Sequence, residues 1–315
     1  SAIGNFCGSP EFVVGPKDFP AEYRHMDMYN NYAGVNVRLN YGNEDFIRYY
    51  HRDLNKIWLM VMDNYEFKVY PAAHSTCGMG EMFGFLMKTF DNPPEKPEKW
   101  SHIDLYPEFS VWDYEVSSDR DLSGFTILEK VDSRGFRCSV RDHLPDGELF
   151  PFVSLSVTTP PLYEVNTSYI INDFDLRNLK GIRYELRSDE KGKLKIAFDG
   201  SAHEIGINKS EDMPNISLAS YSIDPMNVAE CNKDVAVKLT LLNKGNRMGE
   251  GIKAVLSATR GSASILNGSA DFGSIEMNKA SQSGTPLVFI VHTDTIEIEK
   301  FKLTITDRFE NEWVE

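Results

Sequence analysis

Between Val35 and Gly80 the apolar positions change period twice. Val35–Leu39 alternates apolar and polar residues, which predicts a short strand, and Asn40-Tyr41-Gly42 reads as the turn that ends it. From Phe46 to Met62 the apolar residues Phe46, Tyr49, Tyr50, Leu54, Ile57, Trp58 and Val61 recur at helical spacing, which predicts an amphipathic helix lying on a sheet. His51 and Arg52 are placed on the solvent face of that helix. Phe67–Tyr70 predicts a second strand stopped by Pro71, and Met79–Thr89 a further helix. Two strands joined by a helical crossover of this length cannot form a hairpin, so parallel pairing is expected. Upstream, Pro10, Pro16 and Pro20 predict loop, and Ala21–Tyr32 has the composition of a helix ending near Asn30, Asn31 and Gly34. The Gly8–Phe12 stretch reads either as native loop or as a cloning remnant.

Beyond a Pro- and charge-rich stretch from Asp91 to Trp100 the period becomes that of strands. Seven short runs are expected at 109–116, 124–131, 135–140, 153–157, 168–171, 182–187 and 193–198, many separated by Asp-Gly, Arg-Gly or Lys-Gly turns. From Pro214 onward a second set follows at 216–223, 234–242, 251–258, 264–266, 287–292 and 300–305. Asn243-Lys244-Gly245-Asn246 and Leu266-Asn267-Gly268 supply its tight turns. Both sets predict β-sandwiches, the second immunoglobulin-like by pattern. The expected organisation is an α/β unit over 1–95, a β-sandwich over 96–213 and an immunoglobulin-like β-sandwich over 214–315. No internal repeat argues for duplication.

Composition narrows the function classes. The chain of 315 residues is 41% apolar and 25% charged, with a formal charge of −14. That balance, without a Lys/Arg-rich patch, argues against a nucleic-acid partner. No apolar run approaches the roughly 20 residues of a membrane span. Cys7, Cys77, Cys138 and Cys231 are scattered without CxxC or zinc-like spacing, so no metal site and no cofactor are expected. The spacing leaves open free thiols or up to two disulfides.

The candidate chemistry lies in the first unit. Gly42-Asn43-Glu44-Asp45 puts Asp45 on the loop leaving one predicted strand. Tyr70-Pro71-Ala72-Ala73-His74 puts His74 just past the next. Parallel neighbours bring both loops to one sheet edge, where ligands and catalytic groups of open α/β sheets gather. A carboxylate that orients an imidazole, which in turn activates a hydroxyl, is the logic of a catalytic triad. The plainer reading makes Asp45 a helix cap and His74 a loop histidine. His25 with Asp27, His102 with Asp104, Asp142 with His143, and His203 with Glu204 read as surface or loop pairs, and Cys77 as a free loop thiol.

Residues 35–80 resemble the closing portion of the α/β-hydrolase fold, in its prolyl-oligopeptidase-like and esterase-like forms. There the acid follows the penultimate strand and the histidine the last, in the chain order Ser, Asp or Glu, His. The resemblance covers 1–90 at most and implies Asp45 as triad acid and His74 as triad base. The Gly-x-Ser-x-Gly that carries the nucleophile does not occur in these 315 residues. The expectation is therefore an incomplete α/β-hydrolase sheet followed by two β-sandwich domains: the C-terminal part of a secreted serine hydrolase whose N-terminal half, with its serine, lies elsewhere. In that case Val35–Leu39 would form an open sheet edge. The implied substrate is an ester or peptide, polymeric in some members, and the implied location is secreted, periplasmic or cell-envelope. The competing expectation is a non-catalytic adhesion or carbohydrate-binding protein of the cell envelope.

Overall fold

The computed structural model describes residues 2–7, 12–14, 17, 21–209, 213–224, 230–292 and 299–315. It is mostly β, 51% strand and 12% helix, spread over several sheets. No helix among the described residues is long and apolar enough to cross a membrane.

The first unit is built on three parallel strands in the order β1 (Ala2–Phe6), β4 (Asn36–Gly42), β5 (Tyr65–Tyr70). A small hairpin of β2 (Phe12–Val14) and β3 (Glu22–Arg24) stands apart from it. The period of two along β4 sorts its side chains between two helices. Val37, Leu39 and Tyr41 meet α1 (Arg48–Val61) in a core that also takes Cys7, Leu54, Trp58, Met62 and Tyr65. Asn36, Arg38 and Asn40 face the other way, toward α2 (Met79–Asp91): Asn36 Nδ2 donates to Thr89 Oγ1 at 3.0 Å, and Arg38 pairs with Glu81 at 3.1 Å. Lys68 adds a second link to Glu81 at 2.6 Å.

Several expectations change here. The first residues are not loop, because β1 covers one side of β4, making it the central strand and leaving no open edge at 35–39. The predicted helix over 21–32 is β3 followed by a 3-10 helix, His25–Tyr32, kinked at Met28. Phe46 is outside α1 and 72% exposed. His51, expected in solvent, is fully buried, because it shares the helical face of Leu54, Asn55 and Trp58. Pro10, Pro16, Pro20 and most of the Gly8–Phe12 stretch lie outside the described residues.

The second unit holds two sheets around one apolar core. One contains β6 (Trp100–Asp104), β9 (Phe125–Asp132), β10 (Gly135–Arg141), β12 (Ser168–Asp175), β13 (Lys180–Arg187) and β15 (His203–Asn208). The other contains β7 (Glu108–Val111), β8 (Tyr114–Ser118), β11 (Phe150–Thr158) and β14 (Lys195–Gly200). The run expected at 109–116 is thus two strands, turned at Trp112 and Asp113, both with positive φ. β6 and β15 were not expected at all, and the His102–Asp104 and His203–Glu204 pairs sit in them rather than on loops.

The third unit repeats the two-sheet arrangement around a separate core. β16 (Ile216–Asp224), β17 (Asp234–Asn243), β19 (Ser264–Asn267), β21 (Lys279–Gln282) and β22 (Leu287–Ile290) form one sheet. β18 (Gly249–Arg260), β20 (Ser269–Ile275), β23 (Lys300–Thr306) and β24 (Glu312–Val314) form the other.

The units are joined by polar contacts. Asn31 exchanges two hydrogen bonds with the Ile103 backbone, at 2.8 and 2.7 Å, and Lys300 Nζ donates to Val61 O at 3.1 Å. Between the second and third units lies a buried ionic cluster. Glu204, fully buried, accepts from Arg137 at 2.7 Å and from Lys244 at 2.8 Å. The Lys244 and Gly245 carbonyls accept from Asn172, and Lys244 O also from Asn208. The turn at 243–246 is therefore seated on the second unit's sheet.

Candidate functional site

β1, β4 and β5 end at the same edge, and each delivers one polar side chain just past its last residue. Cys7 follows β1, Asp45 leaves β4 through Gly42-Asn43-Glu44, and His74 follows β5 through Pro71-Ala72-Ala73. The two longer loops are laced together: Asn43 N–H donates to Tyr70 O at 2.9 Å and Glu44 N–H to Ala72 O at 3.0 Å. Gly42 is required for this approach, since a Cβ there would stand 1.9 Å from Ala72 O and 2.6 Å from Ala73 O. From the other side, Asn40 holds the turn into α2, donating to Cys77 O at 3.0 Å and to Gly78 O at 3.3 Å.

Asp45 and His74 meet. His74 Nδ1 lies 3.1 Å from one carboxylate oxygen and 3.0 Å from the other. An ionised carboxylate only accepts, so Nδ1 carries the proton and the Nε2 lone pair is left as the basic position. The Asp45 side chain is fully buried, whereas that of His74 is 46% exposed. The Phe46 ring packs on the imidazole, centroid to centroid 4.8 Å. Asp45 does not cap α1, whose first flanking residue is Ile47. Its Oδ1 instead accepts from Ile47 N–H at 2.9 Å, a local turn that fixes the carboxylate's direction.

The electrostatics follow from these partners. Burial pushes the Asp45 carboxyl toward its neutral form, but the Ile47 N–H, the Cys7 thiol and His74 outweigh it and hold the group below the ordinary carboxylate range. The Cys7 thiol moves the other way. Burial raises it, and so does the hydrogen bond to the neighbouring Asp45 carboxylate. Cys7 Sγ also donates to Ser75 O at 3.2 Å, and burial raises the Cys77 thiol despite the lowering influence of the neighbouring Cys7. Sequence reasoning missed His51. Its Nε2 is 3.8 Å from Asp45 Oδ2, too long for a hydrogen bond, and among the described residues neither ring nitrogen has a hydrogen-bond partner. Burial drives this imidazole toward neutrality against the pull of Asp45.

Among the described residues no side-chain hydroxyl is hydrogen-bonded to His74; the neighbouring Ser75 turns to Ala73 O at 3.5 Å. A cleft of about 610 Å³ lies between the first and second units, lined among others by Arg24, Ile57, Glu129 and Arg141, and does not touch this pair. The remaining polar pairs hold structure together. Asp27 pairs with Arg24, His102 with Asp104 at 3.3 Å, and His143 with Asp142 at 2.7 Å. His203 is clasped between Asp173 at 2.6 Å and Asp199 at 3.0 Å. All four cysteines are free thiols. Compared with known proteins, the chain matches no family model and no curated protein.

Proposed function

We propose that residues 2–91 supply the acid and base of a serine-hydrolase site, with Asp45 orienting His74 and His74 activating a serine that lies outside these 315 residues. The observation that carries the reading is the Asp45–His74 pair: a fully buried carboxylate at 3.0–3.1 Å from Nδ1 of a half-exposed imidazole, on loops leaving adjacent parallel strands. In such a pair the carboxylate fixes the tautomer and stabilises the imidazolium formed when Nε2 takes the hydroxyl proton. The serine oxygen would then attack an ester or peptide carbonyl, the alcohol or amine would leave with the proton from the His74 imidazolium, and water would cleave the acyl-enzyme to the free acid and regenerate the serine. The parallel order β1-β4-β5, with α1 and α2 on opposite faces, suits the closing strands of an α/β-hydrolase sheet. β1 has one neighbour among the described residues, and α2 turns Phe83, Met87 and Phe90 outward, each more than half exposed. Both are surfaces onto which the rest of such a sheet would pack. On this reading the two-sheet units are accessory β-sandwiches, the last immunoglobulin-like, of a secreted or envelope enzyme.

The test is fluorophosphonate labelling of the chain alone and of the chain together with the polypeptide encoded directly upstream. The expected result is one labelled serine in the longer protein, none in the 315 residues, and loss of labelling in His74→Gln. Labelling of a serine within these residues, labelling that survives His74→Gln, or a longer protein that takes no label overturns the proposal.

A further inference from the structure

The same strand ends hold more donors than an acid–base pair uses. Cys7 Sγ, an Asp45 carboxylate oxygen and a His74 ring nitrogen all lie within 4.8 Å of one another, one side chain from beyond the end of each parallel strand, and His74 Nδ1 is the nitrogen on Asp45. Cys7 is held there with φ of +49°, a left-handed conformation that a residue with a Cβ adopts at a cost. Independently, His51 is fully buried with neither ring nitrogen hydrogen-bonded among the described residues, and its Nε2 lies 3.8 Å from the Asp45 carboxylate. A buried imidazole without a partner is costly unless something fills the bond it lacks.

We propose that Cys7, Asp45 and His74 form a site for a zinc-class divalent cation, with the buried His51 imidazole beside it, 3.8 Å from Asp45 Oδ2. The donor set of thiolate, carboxylate and imidazole is that of a borderline-soft ion such as Zn²⁺, not of Mg²⁺ or Ca²⁺, which take oxygen ligands. Tetrahedral arms of about 2.0–2.3 Å separate ligand atoms by about 3.3–3.7 Å. The sulfur therefore has to close in by about an ångström at most from the present limit of 4.8 Å. The proton balance is definite. Cys7 releases its thiol proton to solvent, and the imidazole loses the Nδ1 proton while Nε2 takes one up, so one proton leaves per cation bound. The cation takes Nδ1, the atom that otherwise bonds Asp45, so a loaded site cannot also act as the acid–base pair. The site does not depend on the serine-hydrolase reading, and its test uses no substrate.

The experiment is a Co²⁺ titration of the reduced, metal-free chain, followed by Zn²⁺ displacement. Cobalt reports a sulfur ligand through a thiolate-to-metal charge-transfer band in the near ultraviolet. The expected result is one Co²⁺ per chain with that band, its removal by one equivalent of Zn²⁺, and release of one proton. Cys7→Ser abolishes the band, His74→Gln weakens binding at least tenfold, and Cys231→Ser, in the third unit, changes neither. Circular dichroism checks that each variant is folded. A titration without a charge-transfer band, a band that persists in folded Cys7→Ser, or one lost in Cys231→Ser overturns the assignment. None of these outcomes bears on fluorophosphonate labelling, so the two proposals fail separately.

Discussion

Replacing Gly42 by alanine is the sharpest perturbation of the candidate site, because it adds one methyl group at the point where two loops touch. The new Cβ would sit 1.9 Å from Ala72 O, whereas real Cβ contacts do not fall below 3.0 Å, so the 72–74 segment has to retreat by about 1 Å. Flexible side chains can absorb such a clash, but the neighbours at Ala72 and Ala73 are backbone carbonyls that cannot. The retreat loosens the Glu44 N–H bond to Ala72 O, now 3.0 Å, and carries His74 away from Asp45. Overpacking of this kind costs about 1–3 kcal/mol, and a weakened backbone bond adds about 0.5–1.5 kcal/mol. A functional pair tolerates roughly 0.5 Å of misplacement, so the Asp45–His74 bond should be lost even where the fold survives. The hydrogen-bonded Nδ1 proton is visible as a downfield resonance in proton NMR, assigned by its disappearance in Asp45→Asn. The expectation is loss of that resonance in Gly42→Ala together with destabilisation of about 1.5–4.5 kcal/mol in urea. A Gly42→Ala chain that keeps the resonance and loses under about 0.5 kcal/mol refutes the argument that this glycine sets the spacing of the two loops.

Three further outcomes follow from the same contacts. Glu204→Gln leaves Arg137 and Lys244 without their shared buried carboxylate, which should cost about 3–5 kcal/mol in thermal or urea unfolding; a loss under about 1 kcal/mol would show that solvent reaches the cluster. His203 is lowered by burial but raised further by Asp173 and Asp199, so its folded value lies above its unfolded one. The stability it contributes is complete below about pH 6.5 and declines as pH rises through the folded value, and Asp173→Asn should flatten that slope in stability curves measured from pH 5 to 9. On α2, Phe83→Ser with Phe90→Ser removes side chains that are 59% and 71% exposed, so stability should change by less than about 0.5 kcal/mol each while dye binding and self-association fall; a large loss would mean that this face is already covered.

What the sequence disclosed and what it hid divide along physical lines. That Asp45 and His74 would meet was legible because each lies three or four residues past a short strand, and the crossover helix between them forces parallel pairing. Cys7 was not, because Ala2–Phe6 lacks alternation and its partner strand lies about thirty residues away, a non-local pairing that no local pattern encodes. His51 was misplaced by residue type. Its spacing to Leu54, Asn55 and Trp58 put it on the buried face of α1, and the helical period is the better guide than polarity. β15 was hidden in the same way: His203 and Glu204 read as loop residues, yet the whole strand is buried because Asp173, Asp199, Arg137 and Lys244 satisfy them. The alternating strands of the two-sheet units were mostly visible, since turn residues and β-branched runs are local signals.

The burial of Asp45 sets it apart from an aspartate that only starts a helix. An aspartate needed only to start a helix can remain in water, where ionisation is free of desolvation cost. Here burial favours the neutral carboxyl, and the Ile47 N–H, the Cys7 thiol and His74 each pull it back toward the ionised form. Such a group concentrates negative charge at one point, and the two cationic species it can recruit there are an imidazolium on His74 and a bound metal ion. Both draw on Nδ1 of His74, so they exclude each other. Asp45→Asn therefore has to abolish whichever one operates, while Cys7→Ser abolishes only the second. A chain in which Cys7→Ser binds no cobalt but retains the Asp45–His74 proton resonance would show the two uses of this carboxylate to be separable.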